Sequence, residues 1–217
     1  MSAWLSKWGP LSGALSALLV VASLVTGSST PNSNQTGLQV IQWYTVNHNQ
    51  RTVSDLLAAL GMLFLVAFAT VLARHVRRGE RWIAGGALAG AVCAAIGLTS
   101  AVGFDLVLAT DTNKLTPGSA QTLNLLQNNF FPPLVLGIAL FGILGGLAVV
   151  AGRILPAWMG WVLFAVGIAA LIPPISWFAL MATLLWVLAA GIWMTRQGPP
   201  AVELELVAAE EQVPSLT

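Results

Sequence analysis

A short basic turn lies between two long apolar runs and limits what this chain can fold into. Residues 74–81 read Arg-His-Val-Arg-Arg-Gly-Glu-Arg, so four arginines fall within eight positions of a protein in which only 8% of residues are charged. An arginine at the centre of a membrane costs roughly 2.5–3.5 kcal/mol even on the most lenient insertion scale. The turn must therefore lie outside the hydrocarbon layer, and its excess of positive charge places it on the cytoplasmic side.

The composition on either side of this turn is that of a helical membrane protein. Hydrophobic residues make up 57% of the 217 residues, whereas soluble domains contain about 45–50%. Several apolar runs reach the length of about 20 residues that a helix needs to cross roughly 30 Å of hydrocarbon. Membrane-spanning strands would instead give alternating segments of about ten residues. The sequence thus predicts an all-α, polytopic membrane protein with no nucleic-acid partner.

Six transmembrane helices can be counted outward from the basic turn. We predict these spans at about residues 10–26, 53–73, 82–107, 132–152, 157–172 and 175–195. Residues 1–197 then form one transmembrane bundle, and residues 198–217 form an acidic, disordered cytoplasmic tail. The first run also resembles a signal peptide, but its end fits the small-x-small cleavage rule poorly, which favours an uncleaved helix.

The positions of the positive charges predict the orientation of these spans. With both termini inside, seven of the nine lysines and arginines are cytoplasmic, and only Arg51 and Lys114 lie outside. The reverse orientation inverts that ratio and opposes the positive-inside rule. We therefore expect a multi-pass protein of the cell (inner) membrane with both termini in the cytoplasm. The basic turn sets this topology and can also attract anionic lipid headgroups. Its arginines are Arg74, Arg77, Arg78 and Arg81.

Two polar segments connect spans on the outer side. In residues 38–50, apolar side chains recur at near-helical spacing, which predicts a short amphipathic helix on the outer membrane surface. The motif Thr-Val-Ser-Asp at residues 52–55 resembles a capping box at the start of the second span. Residues 119–128 predict a second short helix, after which Pro132 and Pro133 open the fourth span. Both segments must fold over the outer rim of the bundle.

Polar residues of these segments can meet at the outer rim. Arg51 and Asp55 are four residues apart and share a helix face, and Asp105 returns to a similar height after the hairpin through the basic turn. Such carboxylates could hold a cation or amine, with a tryptophan stacking on it. The alternative, which we favour, is structural: Asp55 caps its helix, Arg51 and Asp55 form a rim salt bridge, and the asparagines cap helices and turns. The candidate ligand-binding residues are Trp43, Asn47, His48, Arg51, Asp55, Asp105, Asn124 and Asn128.

The sequence contains few features that would indicate catalysis or cofactor binding. No span carries an ionisable side chain near its middle, although ion-coupled transporters usually need one there, and the common catalytic motifs are missing. His48 and His75 are 27 residues apart, which is about 40 Å along a helix, so they cannot ligate one haem iron. We predict no catalytic residue, no metal site and no cofactor.

Small residues at four-residue spacing predict close contacts between helices. The first span carries such residues from Ser12 to Ala17. The later pairs are Gly86 with Gly90, and Gly142 with Gly146. These faces can pack within the bundle or against a protein partner or second copy of the chain, and the lipid bilayer covers the rest. Tryptophans at the span ends predict an aromatic belt, whereas Trp186 lies deeper and is expected to pack between helices.

Three short segments resemble one family of membrane proteins. Residues 153–161, which read RILPAWMGW and are followed by Trp186 and Arg196, are similar to the LPxWLGW segment of uncharacterised actinobacterial multi-pass proteins, including those grouped under domain of unknown function 4386. Residues 39–48 (QVIQWYTVNH) and 122–126 (TLNLL) resemble the same group, so the match covers about residues 36–196. The resemblance implies a six-span architecture and carries over no activity, ligand or catalytic residue.

The sequence therefore predicts a non-catalytic binding protein, or an accessory or scaffold subunit. The alternative is a small-molecule or lipid carrier whose route begins at the outer rim. Transport predicts a polar, water-filled cavity that reaches the midplane of the membrane. A binding or scaffold role predicts a dry, glycine-packed bundle with its polar groups confined to the rim.

Overall fold

Helices make up nearly the whole of the chain that the structure describes. The structure is a computed structural model, and it describes residues 9–76, 81–153 and 155–197. These residues form the following α-helices: α1 Leu11–Thr26, α2 Gly37–His75, α3 Arg81–Thr110, α4 Pro117–Asn129, α5 Phe131–Gly152, α6 Ala157–Ala170 and α7 Ser176–Gln197. Short 3₁₀ turns at Thr112–Lys114 and Pro173–Ile175 connect α3 to α4 and α6 to α7. No strand occurs in the described ranges.

The lengths and compositions of the helices indicate a membrane protein. Four segments of the described chain are long and apolar enough to cross a membrane. They are Gly37–His75, Trp82–Thr110, Pro117–Gly152 and Pro173–Arg196. Helices α1 and α6 are apolar but shorter, with 16 and 14 residues. The prediction of an all-α fold is confirmed for the described residues, and the long apolar helices support a membrane protein. The count of six crossings stays a prediction.

Apart from the short helix α4, helices that are consecutive in the chain pack side by side and antiparallel. The last helix, α7, also packs against the first, α1. Contacts join α1 to α2, α2 to α3, α3 to α5, α5 to α6, α6 to α7, and α7 back to α1. The helices thus surround a common interior. The loop of residues 27–36 and helix α4 lie at one end of this ring, because they connect helices there. The last turn of α2, which contains Arg74, lies at the opposite end.

Glycines bring the backbones of neighbouring helices into direct contact. Gly137 of α5 lies so close to α3 that a β-carbon added to it would be 2.6 Å from Cα of Ala94. A β-carbon on Gly142 would lie 2.6 Å from Cα of Gly167 in α6. Such close approach is possible only for residues without a side chain, and it increases the van der Waals contact between helices. The glycines singled out in the sequence, Gly86, Gly90, Gly142 and Gly146, all face other helices of the same chain.

The structure corrects the predicted start of the second span. Helix α2 begins at Gly37 and continues without a break to His75, so the segment predicted as a separate surface helix is its N-terminal part. The helix starts this early because Thr36 and Gln39 form a capping box, in which the Gln39 side chain accepts from the Thr36 N–H at 2.9 Å. The predicted capping role of Asp55 is therefore wrong, since this residue lies in the helix interior. At 39 residues α2 is about 58 Å long, more than a membrane needs.

The polar segment after α3 forms a separate short helix, as predicted. Helix α4 begins with Pro117 in its first turn, and the Thr116 hydroxyl accepts from the Ser119 N–H at 3.3 Å. Gly37, at the start of α2, packs directly on the backbone of Pro117. Above the main core, the starts of α2 and α4 and the end of α3 enclose a small apolar cluster. Its buried members are Val40, Tyr44, Leu108, Ala109 and Ala120.

The tryptophans are divided as the sequence predicts. Trp186 is buried, and its indole N–H donates to the carbonyl of Met159 in α6 at 2.8 Å. Exposed tryptophans occur at the predicted span ends: Trp82, Trp158, Trp161, Trp177 and Trp193. The predicted acidic tail, residues 198–217, and two arginines of the basic turn, Arg77 and Arg78, lie outside the described residues.

Candidate functional site

A cavity of about 540 Å³ lies inside the ring of helices, at the end closed by the loop of residues 27–36. Helices α1, α2, α3, α5 and α7 form its walls, and Gln127 and Asn128 of α4 lie at its rim. The volume falls within the range of about 300–1,000 Å³ that is typical of sites for small molecules. The cavity is polar at the rim and apolar further in.

The polar end contains one guanidinium between two carboxylates. Arg51 Nε donates to Asp105 Oδ2 at 2.7 Å, and Nη2 donates to the same oxygen. The same Nη2 lies 3.1 Å from Asp55 Oδ1, one helical turn further along α2. Both carboxylates are almost completely buried, with 2% of Asp55 and 1% of Asp105 exposed. We call these three residues the rim cluster.

Both carboxylate oxygens of Asp105 accept hydrogen bonds from neighbouring side chains. Its Oδ1 accepts a hydrogen bond from the Tyr44 hydroxyl, and its Oδ2 accepts from Arg51 and, at 3.4 Å, from Gln127 Nε2. These donors belong to α2 and α4, whereas Asp105 belongs to α3. The carboxylate therefore ties three helices together, and both of its oxygens already have donors. Its role is structural.

Asp55 differs from Asp105 because one of its oxygens has no partner. Its Oδ2 is buried without a hydrogen bond from any residue that the structure describes. The same holds for Gln127 Oε1 and Ser28 Oγ, and all three residues line the cavity. A buried polar atom without a partner costs about 1–3 kcal/mol, more when it is charged. Three such atoms around one cavity indicate that hydrogen-bond donors can be taken up there.

The loop over the cavity is fastened to α4 by two asparagines. Asn124 Nδ2 donates to the carbonyl of Asn32 at 3.1 Å, and Asn128 Nδ2 donates to the carbonyl of Pro31 at the same distance. Each bond joins positions more than 90 residues apart in the chain. The asparagines thus hold the loop in place, and their side-chain N–H groups are engaged in doing so.

The C-terminal end of α1 also faces the polar end of the cavity. Ser54 of α2 donates to the carbonyl of Ser23 at 2.9 Å, and Gln50 donates to the carbonyl of Thr26 at 2.6 Å. Ser23 lines the cavity. Because the carbonyl end of a helix carries a partial negative charge, α1 adds negative potential near the rim cluster.

The inner part of the cavity is apolar. Along α2 it extends from Arg51 to Leu65, about four helical turns or roughly 20 Å. The deep lining residues include Met62, Leu65, Leu134, Ile138, Leu180 and Leu184. Thr183 also lines it, but its hydroxyl is satisfied by the carbonyl of Ala179 at 2.8 Å. Beyond Leu65 the interior is filled by fully buried side chains such as Phe68 and Phe141.

The structure brings half of the predicted site residues to the cavity. Those that line it are Arg51, Asp55, Asp105 and Asn128. Asn124 is fully buried beside the loop. Trp43 packs edge-on against Tyr44 with ring centroids 4.8 Å apart, and Asn47 donates to the carbonyl of Trp43 in its own helix at 2.9 Å. His48 is exposed, and its Nδ1 lies 3.2 Å from the carbonyl of Thr45. Neither Trp43, Asn47 nor His48 lines the cavity.

Three residues of the site are not among those predicted from the sequence, and the sequence pattern indicates only one of them. Tyr44 is the only tyrosine of the chain, and it precedes Arg51 by seven residues and Asp55 by eleven, which places all three on one helix face. Gln127 and Ser28 have no comparable signal, because their positions depend on how α4 and the loop fold over the ring. In the described part of the chain, no group of three or more possible metal ligands occurs.

Comparison with known proteins gives no relative from which a function could be transferred. No protein-family model, no curated protein and no solved structure matches the chain. The resemblance to the family of domain of unknown function 4386 therefore stays a prediction.

Proposed function

We propose that the protein binds one small amphiphilic molecule within the membrane and does not change it chemically. The polar group of this molecule lies at the rim cluster, and its apolar part lies between α2, α5 and α7. The observation that carries this proposal is the cavity itself, in which Asp55 Oδ2 is buried without a partner at one end while the other end is apolar. A ligand with the same division of polar and apolar surface would satisfy both ends.

The shape of the cavity supports binding over transport. A carrier that moves a polar molecule across the membrane needs a polar route that reaches the midplane. Here the charged residues are confined to the rim, the inner walls are apolar, and buried side chains fill the bundle beyond Leu65. A binding or accessory role accounts for these features without a further conformational state.

We also propose six crossings of the cell (inner) membrane, with both termini in the cytoplasm and the cavity at the outer side. The distribution of charge supports this orientation. Arg74 and Arg196 lie in the last turns of α2 and α7, and Arg153 directly follows α5. These helix ends are opposite the cavity, whereas Arg51 and Lys114 lie at the cavity end. Helices α1 and α6 are shorter than a usual span, and local thinning of the bilayer can accommodate short helices at modest cost.

The proposal is tested by identifying the molecules that stay bound to the protein. Wild type, Ala101→Phe and Ala165→Phe would each be purified gently from the native membrane and analysed by mass spectrometry. Ala101 lines the cavity, so phenylalanine there fills it. Ala165 is exposed on α6, so the same substitution adds the same volume outside.

We expect one small amphiphile per chain in the wild type and in Ala165→Phe, and a loss of at least tenfold in Ala101→Phe. Thermal unfolding of each variant checks that the fold is retained. A wild-type protein without any stoichiometric small molecule, or equal amounts in all three proteins, would contradict the proposal. A stoichiometric protein partner in place of a small molecule would instead identify an accessory subunit.

A further inference from the structure

The unpaired oxygens at the rim indicate which polar group the ligand has. We propose that its polar group is a primary ammonium, which donates hydrogen bonds to Asp55 Oδ2 and Gln127 Oε1, and that Asp55 is the residue that selects it. This inference rests on the proposed function, because it names the class of ligand that the same cavity takes.

The charges around the cavity favour a cation. Among the described residues that line it, one is positively charged, Arg51, and two are negatively charged, Asp55 and Asp105. The guanidinium is engaged with both carboxylates, so a net negative charge remains when both are ionised. The carbonyl end of α1 adds to it. Away from bulk water this charge attracts a cation strongly and repels an anion.

The unpaired atoms favour a cation that donates hydrogen bonds. A carboxylate oxygen and an amide oxygen can only accept. The orientation of the Gln127 amide follows from its contact with Asp105, since Nε2 must face the carboxylate at 3.4 Å and Oε1 then lies on the other side. A primary ammonium has three N–H donors, whereas a quaternary ammonium has none and leaves these oxygens unsatisfied.

The rest of the cavity favours an apolar molecule with one small head. About 540 Å³ holds a single molecule of moderate size, and the apolar wall along α2 is about 20 Å long. A phospholipid headgroup would also bring a phosphate, and Arg51, the one cationic side chain in the described lining, is already occupied by carboxylates. The class of ligand is therefore a hydrophobic primary amine with a single chain.

Amphiphiles that share one chain and differ only in the head test this assignment. Dodecylamine, dodecyltrimethylammonium and dodecanol would be titrated into the purified full-length protein in lipid nanodiscs, with bound molecules counted by native mass spectrometry. Binding that persists in Ala101→Phe measures uptake into the surrounding lipid and is subtracted. We expect dodecylamine to bind at least tenfold more tightly than either of the other two.

The substitution Asp55→Asn keeps the size of the side chain and removes its charge. We expect it to abolish the preference for dodecylamine over dodecanol and dodecyltrimethylammonium. Asp111→Asn is the matched control, because Asp111 lies outside the cavity and pairs with Lys114, and it should retain the preference. If Asp55→Asn fails to fold, the relative affinities of the wild-type protein for the three amphiphiles still test the ammonium assignment.

The outcomes separate this inference from the proposed function. If dodecanol binds the wild type as tightly as dodecylamine, the ammonium assignment is wrong and the proposed function stands. Equal affinity for dodecyltrimethylammonium would overturn the hydrogen-bonding role of Asp55 and Gln127. If none of the three amphiphiles binds above the level of Ala101→Phe, the proposed function itself fails.

Discussion

Replacing Asp105 by asparagine should destabilise the protein strongly, because this carboxylate joins three helices. Asparagine keeps the shape of the side chain but exchanges one acceptor oxygen for an NH₂ group. It then presents donors where Tyr44, Arg51 and Gln127 already donate. The guanidinium of Arg51 keeps only Asp55 as an ionic partner.

The size of the effect follows from the burial of the pair. Removing one partner of a buried ion pair costs about 3–5 kcal/mol, since the remaining charge is left without compensation. Asp55 still faces Arg51 at 3.1 Å, which favours the lower end of this range, about 3 kcal/mol. For a chain of this size, 1 kcal/mol shifts Tm by about 2–4 °C, so Tm should fall by roughly 6–12 °C.

Thermal unfolding in a mild non-ionic detergent, followed by circular dichroism, measures this shift. Asp111→Asn is the matched control, because the hydrogen bond of Lys114 to Asp111 at 2.6 Å lies on the exposed surface. The hydrogen bond to Asp111 and the charge of this carboxylate raise the pKa of Lys114. Because solvent screens the exposed pair, Tm should not change measurably. Equal Tm values for the two variants would refute the structural role of Asp105.

Three further predictions concern helix packing and one buried hydrogen bond. Gly137→Ala should destabilise the protein by about 1–3 kcal/mol, because the new β-carbon meets the backbone of Ala94. Gly103→Ala should instead stabilise it by about 0.5–1 kcal/mol, since nothing lies within 4 Å of its β-carbon position and alanine favours the helix. Chemical unfolding measures both changes, and the free energy of unfolding should fall in Gly137→Ala and rise in Gly103→Ala. Trp186→Phe should cost about 1–2 kcal/mol, because the carbonyl of Met159 loses its indole donor. An unchanged unfolding midpoint in Trp186→Phe would contradict that assignment.

The sequence predicts most helix boundaries because apolar runs and prolines determine them. Prolines separate α6 from α7 and open α4 and α5, and both features can be read directly. The predicted start of α2 is wrong because the polar residues 47–52 and the capping-box motif at residues 52–55 indicate a boundary, whereas the helix continues through both. The face that contains Val40, Tyr44, Arg51, Asp55 and Ala58 continues across this boundary, so the helical repeat could have shown one long helix.

The site could be predicted only as far as it follows from the topology. The meeting of Arg51, Asp55 and Asp105 at one height follows from a hairpin of two helices, and the structure places them together. The cavity below them depends on the closure of α7 against α1, which no local pattern of residues encodes. The same holds for the placement of Gln127, because α4 must first fold over the rim.

A photoreactive ligand tests most directly whether the cavity is the binding site. A dodecylamine with a diazirine near the end of its chain would be bound to the protein, irradiated, and its attachment sites mapped by mass spectrometry. We expect labelling of the inner wall, at Leu65, Ile138 or Leu184, and loss of this label in Ala101→Phe. Labelling confined to exposed apolar residues such as Leu18 and Leu185, unchanged in that variant, would contradict it.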